Sequence, residues 1–469
     1  MSVAAAWVPP GKGRWALERS HFGGRFTVAY REVYRRGQHD GMRAAMARYG
    51  APISHMAIEF LNDRPYMRIV PLVDPPGRMG SRQPPAFMVW LLARVHPAFR
   101  RRNRAAREML ESQLWRADGR RWYEEQKPEM VSANLALQDA PIESMADTEV
   151  AAHVAVCVDN VYRGVRLHFE LVGCDAFAVG DFMVAAEGWG IGGGEALGLM
   201  AGSSPGSSDA ARQLAAGDVD AYLRHYGWRA VANYDVDAPT VGEMPEVLKA
   251  ALSAAGQRGV REATPPIDAA RVRVPEAERA RFDALLTEAR YAYGIRDDNA
   301  GITLQWTVGL FRRALLEAGR RLTEAGRLDS PEDTFDLTPE ETQGLLRGDS
   351  EPPLAAVRER VERRRANNAL DAPRFLGPED AIPPLGPMPA PLRRVSAALL
   401  IQADHLNSDE AHPELSGSGI GTSTASGPAR LVRSPEDAFD RLQPGDILVT
   451  TMTTPAYDAV LPIVAGLVV

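Results

Sequence analysis

Apolar side chains recur at helical intervals through the middle of the chain. Leu304, Val308, Phe311, Leu315 and Leu322 fall at i, i+4, i+7, i+11 and i+18, which puts them on one stripe and predicts a core-facing helix over Thr303–Leu322. Asp147–Val158 (DTEVAAHVAVCV) predicts a helix that opens on a cap, and Asp209–Tyr226 another that stops before Gly227. Thr338-Pro339-Glu340-Glu341 is a complete start signal: a capping hydroxyl, proline at the first helical position, and a glutamate placed to reach back to the cap. Before about residue 80 the pattern is different, with short β-like runs between turns, notably Met67–Val73 (MRIVPLV).

The helical pattern ends at a segment crowded with Pro373, Pro378, Pro383, Pro384, Pro387, Pro389 and Pro391, which cannot continue a helix and favours semi-rigid extended chain. Beyond it the composition shifts to Gly, Ser and Thr, then to β-branched runs at Ile447–Thr451 and Ile463–Val469. The expected fold is therefore multidomain α+β. A small mixed α/β region (1–80) packs on a mainly helical region (81–371), followed by a proline-rich linker (372–391) and a β-containing domain (392–469).

Composition narrows the functional classes. With 469 residues, 45% apolar and 25% charged, the chain has the make-up of a globular protein of two to four domains. A net charge of -7 argues against nucleic-acid binding through the whole surface. Cys157 and Cys174 are the two cysteines, too few for a disulfide framework or a Cys-rich metal site, and they fit a reducing cytoplasm as buried thiols. No export signal is visible, and no window approaches the ~20 apolar residues of a membrane span. Neither nucleic acid nor membrane is an expected partner. The arginine-rich stretch Pro84–Gln126, with Arg94, Arg100, Arg101, Arg102, Arg104, Arg107, Arg116, Arg120 and Arg121, reads as a solvated helical face rather than a binding patch.

Few local motifs carry chemistry. Gly188, Gly190 and Gly193 satisfy the G-x-G-x-x-G spacing, but the preceding DFMVAAE reads as the end of a helix where a dinucleotide site needs a strand, so a Gly/Ser loop is expected. No phosphate-cradling G-x-x-x-x-G-K-[ST] and no G-x-S-x-G elbow occurs. His21, His39, His55, His96, His153, His168, His225, His405 and His412 show no metal-ligand spacing. His168, within LHFEL, is either a hydrogen-bonded buried histidine or a catalytic one.

The densest pattern is the last. Gly427-Pro428-Ala429-Arg430-Leu431 leads into Ser434-Pro435-Glu436, then Pro444-Gly445-Asp446-Ile447-Leu448-Val449, then Thr453-Thr454-Pro455. This resembles the swivelling phosphohistidine domain of the PEP-utilising enzymes, the family of phosphoenolpyruvate synthase, pyruvate phosphate dikinase and rifampicin phosphotransferase. Weaker resemblance to the middle region of the rifampicin phosphotransferase-like members lies at Trp15–Phe22, Tyr49–Pro52, Tyr226–Arg229 with Asp235–Pro239, Ile295–Asp297 and Asp333–Thr338. Trp228, Ala230 and Asp297 stand where that pattern has histidine, glycine and glutamate.

The resemblance implies an ATP-dependent phosphotransferase that passes a phosphoryl group through a histidine to a small-molecule acceptor, with the helical region holding the acceptor and the proline-rich segment tethering the moving domain. It also implies that ATP and Mg2+ belong to a separate or missing ATP-grasp domain or subunit. The phosphorylated histidine is expected beyond Val469, so no catalytic, cofactor-binding or metal-binding residue is assigned within the chain, which reads as truncated and inactive alone. The alternatives are a non-catalytic small-molecule binding protein on the same scaffold, and an enzyme using His405 or His412.

Overall fold

A computed structural model describes residues 7–19, 21–73, 83–200, 218–231, 233–245, 266–407, 424–433, 441–450 and 463–469, with a few single residues between them. The elements are, in chain order, β1 (Trp15–Leu17), α1 (Val28–Arg48), β2 (Ile53–Leu61), β3 (Arg64–Pro71), α2 (Ala86–Val95), α3 (Pro97–Ser112), α4 (Leu114–Arg121), α5 (Lys127–Gln138), α6 (Asp147–Gly188), α7 (Gly193–Gly198), α8 (Val219–Tyr226), α9 (Ile267–Arg273), α10 (Arg279–Ala300), α11 (Thr307–Glu324), α12 (Pro339–Leu346), α13 (Leu354–Asn368), β4 (Phe375–Leu376), α14 (Ala390–Asn407), β5 (Ala429–Leu431), β6 (Ile447–Val449) and β7 (Gly466–Val468). The chain is a mixed α/β structure dominated by helix, with two small sheets. No described helix is long and apolar enough to cross a membrane.

Helix α6 is the spine, with α1, α10, α11, α12 and α14 packed along it. Its sequence explains the length. Val150, Val154, Cys157, Val161 and Val165 keep one stripe buried, and no proline interrupts the run. Helix crossings along it need glycine for close approach: a Cβ on Gly164 would stand 2.1 Å from the Thr303 carbonyl oxygen, one on Gly180 2.1 Å from that of Ala398, and one on Gly41 of α1 2.2 Å from that of Arg166. The helix expected over residues 147–158 thus runs thirty residues further. Its cap is set by Glu149, whose carboxylate accepts the Ala146 N–H at 2.7 Å, while Asp147 pairs with Arg321.

The stripe Leu304, Val308, Phe311, Leu315 and Leu322 is buried as expected. It belongs to a longer rod in which α10 and α11 are joined by a π-turn over Gly301–Trp306. There Thr303 and Thr307 turn their hydroxyls back onto the carbonyls of Asn299 and Thr303, which loosens the regular ladder. The capping box at Thr338 forms as read, with Glu341 N–H donating to Thr338 Oγ1 at 3.2 Å and Thr338 N–H to Glu341 Oε2 at 2.9 Å. Of the helix read over Asp209–Tyr226, α8 is seen, capped by Asp218; the stretch before it lies almost wholly outside the described residues. Helix α6 ends at Gly188 and α7 begins at Gly193, so no strand precedes the glycine run and the dinucleotide pattern has no structural counterpart.

The first sheet is antiparallel, in the order β2-β3-β1-β4. Its hairpin turns through Asn62 and Asp63, both at positive φ (50 and 59°), where these side chains are tolerated. Strand β4 comes from the proline-rich segment and pairs Leu376 with Trp15. That segment is docked rather than hanging free: Asp380 accepts from Arg68 Nε at 3.1 Å and from Arg14 N–H at 3.1 Å, and Arg94 donates to the Pro387 carbonyl at 2.8 Å. Helix α14 also lies against α6, through a bidentate Arg394–Asp181 pair (2.8 and 2.7 Å) and Gln402 on the Ala176 carbonyl. Residues 390–407 therefore share the helical body's packing, and the β-rich part begins at β5.

The second sheet is parallel, in the order β5-β6-β7. It has its own cluster: Val432, Ala438, Leu442, Leu448, Tyr457, Val460, Ile463 and Val464. The Pro444-Gly445-Asp446 turn has a physical cause, since Gly445 sits at φ +94° and Asp446 takes the Gln443 N–H at 3.0 Å and Arg430 Nε at 2.9 Å. Strand β7, from the β-branched run Ile463–Val469, is an edge strand among the described residues, with Leu467 and Val468 41% and 54% exposed.

Candidate functional site

Two loops and three helices meet where several of the resembling segments converge. In the first loop the buried Glu18 carboxylate accepts the N–H groups of His21 (3.0 Å) and Phe22 (3.2 Å) and meets His21 Nδ1 at 2.9 Å. This holds the His21 ring half-exposed and 5.5 Å from the Tyr234 ring, while the His21 carbonyl takes the Tyr234 N–H at 3.1 Å. The second loop is folded by its own acids. Asp235 N–H donates to Asn233 Oδ1 at 2.6 Å, and the Asp235 carboxylate accepts from Thr27 N–H (2.7 Å), Thr27 Oγ1 (2.6 Å) and Val236 N–H (2.7 Å), tying residues 233–237 to the start of α1. Burial, then the nearby Asp237, pushes the Asp235 carboxyl up to about 8 against those donors.

Arg364 of α13 extends the cluster. Its Nε donates to the fully buried Asp336 at 2.7 Å, and Asp237 and Asp235 lie within its electrostatic reach. Burial alone would lower the guanidinium; these acids hold it above its ordinary value. Asp336 Oδ2 has no hydrogen-bond partner among the described residues, and burial raises its carboxyl despite Arg364.

The other wall is α6 facing α10. His168 Nδ1 lies 2.7 Å from Asn299 Oδ1, and Asn299 Nδ2 donates to the carbonyls of Ile295 (2.9 Å) and Arg296 (3.0 Å). Because the amide nitrogen is committed to carbonyls, Oδ1 must be the acceptor, Nδ1 of His168 carries the proton, and Nε2 keeps its lone pair. Burial lowers His168 to about 4, with Asn299 opposing and the charges of His21 and Arg296 adding to the fall. The imidazole is neutral at physiological pH. One helical turn on, Arg296 reaches Asp175 Oδ2 at 3.4 Å; Asp175 is buried, its Oδ1 has no partner among the described residues, and its carboxyl is raised by burial. A half-exposed guanidinium beside a neutral imidazole can hold an anionic oxygen and accept a hydroxyl proton.

Of the residues singled out in the sequence, His168 is in this site and is hydrogen-bonded to Asn299, the first of its two readings. The His405 side chain, His412 and the Asp297 side chain lie outside the described residues. Trp228 and Ala230 are packing positions: Arg313 lies over the Trp228 ring at 5.3 Å, and Ala230 bridges Thr240. Cys157 and Cys174 are buried free thiols, both pushed up by burial, Cys157 to about 12, which makes them inert. Asn299, Asp175 and Arg364 were not anticipated, while Glu18 and Asp336 lie in segments that carry the weaker resemblance without having been singled out. For Asn299 and Asp175 the one available signal was spacing, one turn from Arg296 and two from His168 on their own helices.

No family model matches the chain. Similarity to individual proteins suggests a phosphotransferase-type scaffold. The chain is 28% identical over 268 residues, 53% of its length, to the protein named rifampicin phosphotransferase from Streptomyces sviceus, and 28% identical over 272 residues to another of that name from a Streptomyces species. It is 32% identical over 161 residues, 34% of its length, to an uncharacterized protein of Mycobacterium tuberculosis. It covers 28% of the Streptomyces proteins and 16% of the mycobacterial one. This is distant homology to rifampicin phosphotransferase over about half the chain, and it supports a PEP-utilising-like family.

Proposed function

We propose that the chain is the acceptor-binding part, with the beginning of the swivelling phosphohistidine domain, of a PEP-utilising-type phosphotransferase. One observation carries this reading: segments 18–22, 233–237, 295–299 and 333–336, remote in sequence, gather around His168, Arg296 and Arg364. The acceptor is a small molecule bearing a hydroxyl. Arg296 holds an oxygen of the incoming phosphoryl group, and His168 Nε2 takes the hydroxyl proton as the oxygen attacks phosphorus and the bond from phosphorus to the carrier histidine breaks. Asn299 keeps His168 in the required tautomer. ATP, Mg2+ and the carrier histidine belong to an ATP-grasp element and the rest of the swivelling domain, outside these residues. Among the described residues no three His, Cys, Asp or Glu side chains gather as metal ligands. Two buried free thiols fit a reducing cytoplasm.

The test combines the protein, joined to a complete swivelling domain that carries the phosphorylated histidine, with an ATP-grasp partner, ATP labelled at the β or γ position and hydroxylated acceptors, rifampicin included. Label should reach the acceptor, and His168→Gln should slow transfer about 10²–10⁴-fold while leaving acceptor binding, read from tryptophan fluorescence, nearly unchanged. Acceptor binding without transfer in any combination would favour the second reading, a non-catalytic binding protein. The packing roles of Trp228 and Ala230, at positions where the family pattern has other residues, speak for that alternative.

A further inference from the structure

Helix α2 buries little of its apolar surface. Its inner face sets Val89 and Ala93 against Met388 and Leu392. Phe87, Trp90, Leu91 and Val95, at i, i+3, i+4 and i+8, share the outer face and are 69, 50, 48 and 62% exposed. Arg94 lies over the Trp90 ring at 4.7 Å and donates to the Pro387 carbonyl, which fixes the indole at the surface. Helix α3 begins one residue after α2 ends, and buries Ala106 and Met109. Its outward positions include Arg100, Arg101, Arg104 and Arg107, all exposed and none ion-paired with a described residue. Several other exposed arginines are matched, Arg116 by Glu288, Arg320 by Glu317 and Glu324 and Arg358 by Asp329, whereas Arg43, Arg120 and Arg363 have no ion pair among the described residues. Glu108 and Glu111 are also on α3 and pair with none of the four. In a chain of net charge -7, four arginines without an ion pair thus stand next in the chain to an apolar ridge that stays exposed among the described residues.

We propose that α2 and α3 form a docking surface for an anionic lipid bilayer, with the ridge of α2 set into the interface and the arginines of α3 on the headgroup phosphates. The occupant follows from exposed apolar side chains and charge. An exposed helix face carrying Trp, Phe, Leu and Val suits a bilayer interface, where tryptophan and phenylalanine favour the level at which hydrocarbon meets headgroups. A second copy meeting this face through its own would bring two arginine rows together, whereas an anionic plane satisfies ridge and row at once. The membrane is met as a surface, and the inference stands independently of the acceptor chemistry.

Sedimentation of the 469-residue protein with phosphatidylcholine vesicles, with and without roughly one third phosphatidylglycerol, tests this. Binding should strengthen at least about tenfold with the anionic lipid and weaken in high salt. Arg100→Glu with Arg101→Glu and Arg104→Glu should abolish that preference, at about fivefold or more per residue. Trp90→Asp with Leu91→Asp should remove binding altogether. Val95→Asp provides a second variant should the first lower the melting temperature, and a blue shift of emission missing in Trp90→Phe would place the indole in the bilayer. The proposal is overturned if both vesicle types bind equally, if neither binds, if folded variants bind as the parent does, or if light scattering shows a dimer that Trp90→Asp dissociates.

Discussion

In the helical body, buried polar groups find partners far along the chain: Trp122 meets Asp298 and Thr27 meets Asp235, separations of 176 and 208 residues. In the C-terminal sheet Arg430 meets Asp446, 16 residues on, and the eight clustered apolar residues all fall between Val432 and Val464. The body is thus a single network around α6, in which losing one crossing exposes several others. The sheet is a local unit of three-residue strands with a small core, of the sort that opens below the global unfolding free energy. The sharpest test of this contrast is Gly164→Val. Its Cβ would collide with the Thr303 carbonyl, a backbone atom that cannot rotate away, so we expect a loss above about 3 kcal/mol and a body that melts far below the parent. Hydrogen exchange should show α6 and α11 losing protection together while β5, β6 and β7 keep their own faster rates. Strands that lose protection in step with α6 would break the comparison.

Next in size is the Arg364–Asp336 pair, where the body holds a charge it cannot release to water. Arg364→Ala strands the fully buried Asp336 carboxylate and should cost about 3–5 kcal/mol in urea unfolding. Adding Asp336→Asn should recover part of the loss, since the charge goes with its partner. If the single and double variants are equally unstable, the guanidinium acts through packing instead.

These two regions also differ in how far the sequence discloses them. The apolar stripe from Leu304 to Leu322, the Thr338 box and the β-branched runs that form β6 and β7 were legible because each depends on neighbours a few positions apart; the parallel order of the sheet was not. His168 was marked as a candidate, but its tautomer depends on Asn299, 131 residues away, and no periodicity conveys that. The strand at Phe375–Leu376 was hidden in prolines that argue against any sheet, because an edge position asks for few ladder hydrogen bonds. Helix α14 sits on α6 rather than with the sheet because Arg394 and Gln402 find partners there, again a long-range choice.

A pH effect should follow from the second loop. Folded Asp235 keeps its proton up to about 8, whereas an exposed carboxyl releases it near 3.8. The folded chain therefore binds more protons through that window, so the stabilising contribution is complete below about pH 4 and is lost progressively as pH rises toward about 8. The slope should approach ~1.4 kcal/mol per pH unit where the two states differ by a whole proton. Urea midpoints measured between about pH 5 and about pH 8 should fall with pH in the parent, and this component should vanish in Asp235→Asn. A flat parent profile would mean that the Thr27 and Val236 donors keep the carboxylate charged.

The smallest effect addresses whether a locally written feature of the body stays local. Thr338→Ala removes one hydrogen bond of the capping box and should cost about 1 kcal/mol, with Thr338→Ser restoring most of it. Yet Glu341, the other half of the box, also accepts Arg360 of α13 on both oxygens, at 2.7 and 2.8 Å. If the body is one network, Glu341→Gln should destabilise more than Thr338→Ala, because it weakens a cap and an interhelical pair together. The two losses should also be non-additive, since both act on the same glutamate. In the sheet the matching position is Asp446, whose partners Gln443 and Arg430 lie within 16 residues, so Asp446→Asn should alter exchange in β5 and β6 and leave the urea midpoint of the body where it was. A shift of that midpoint would show the two regions to be energetically joined.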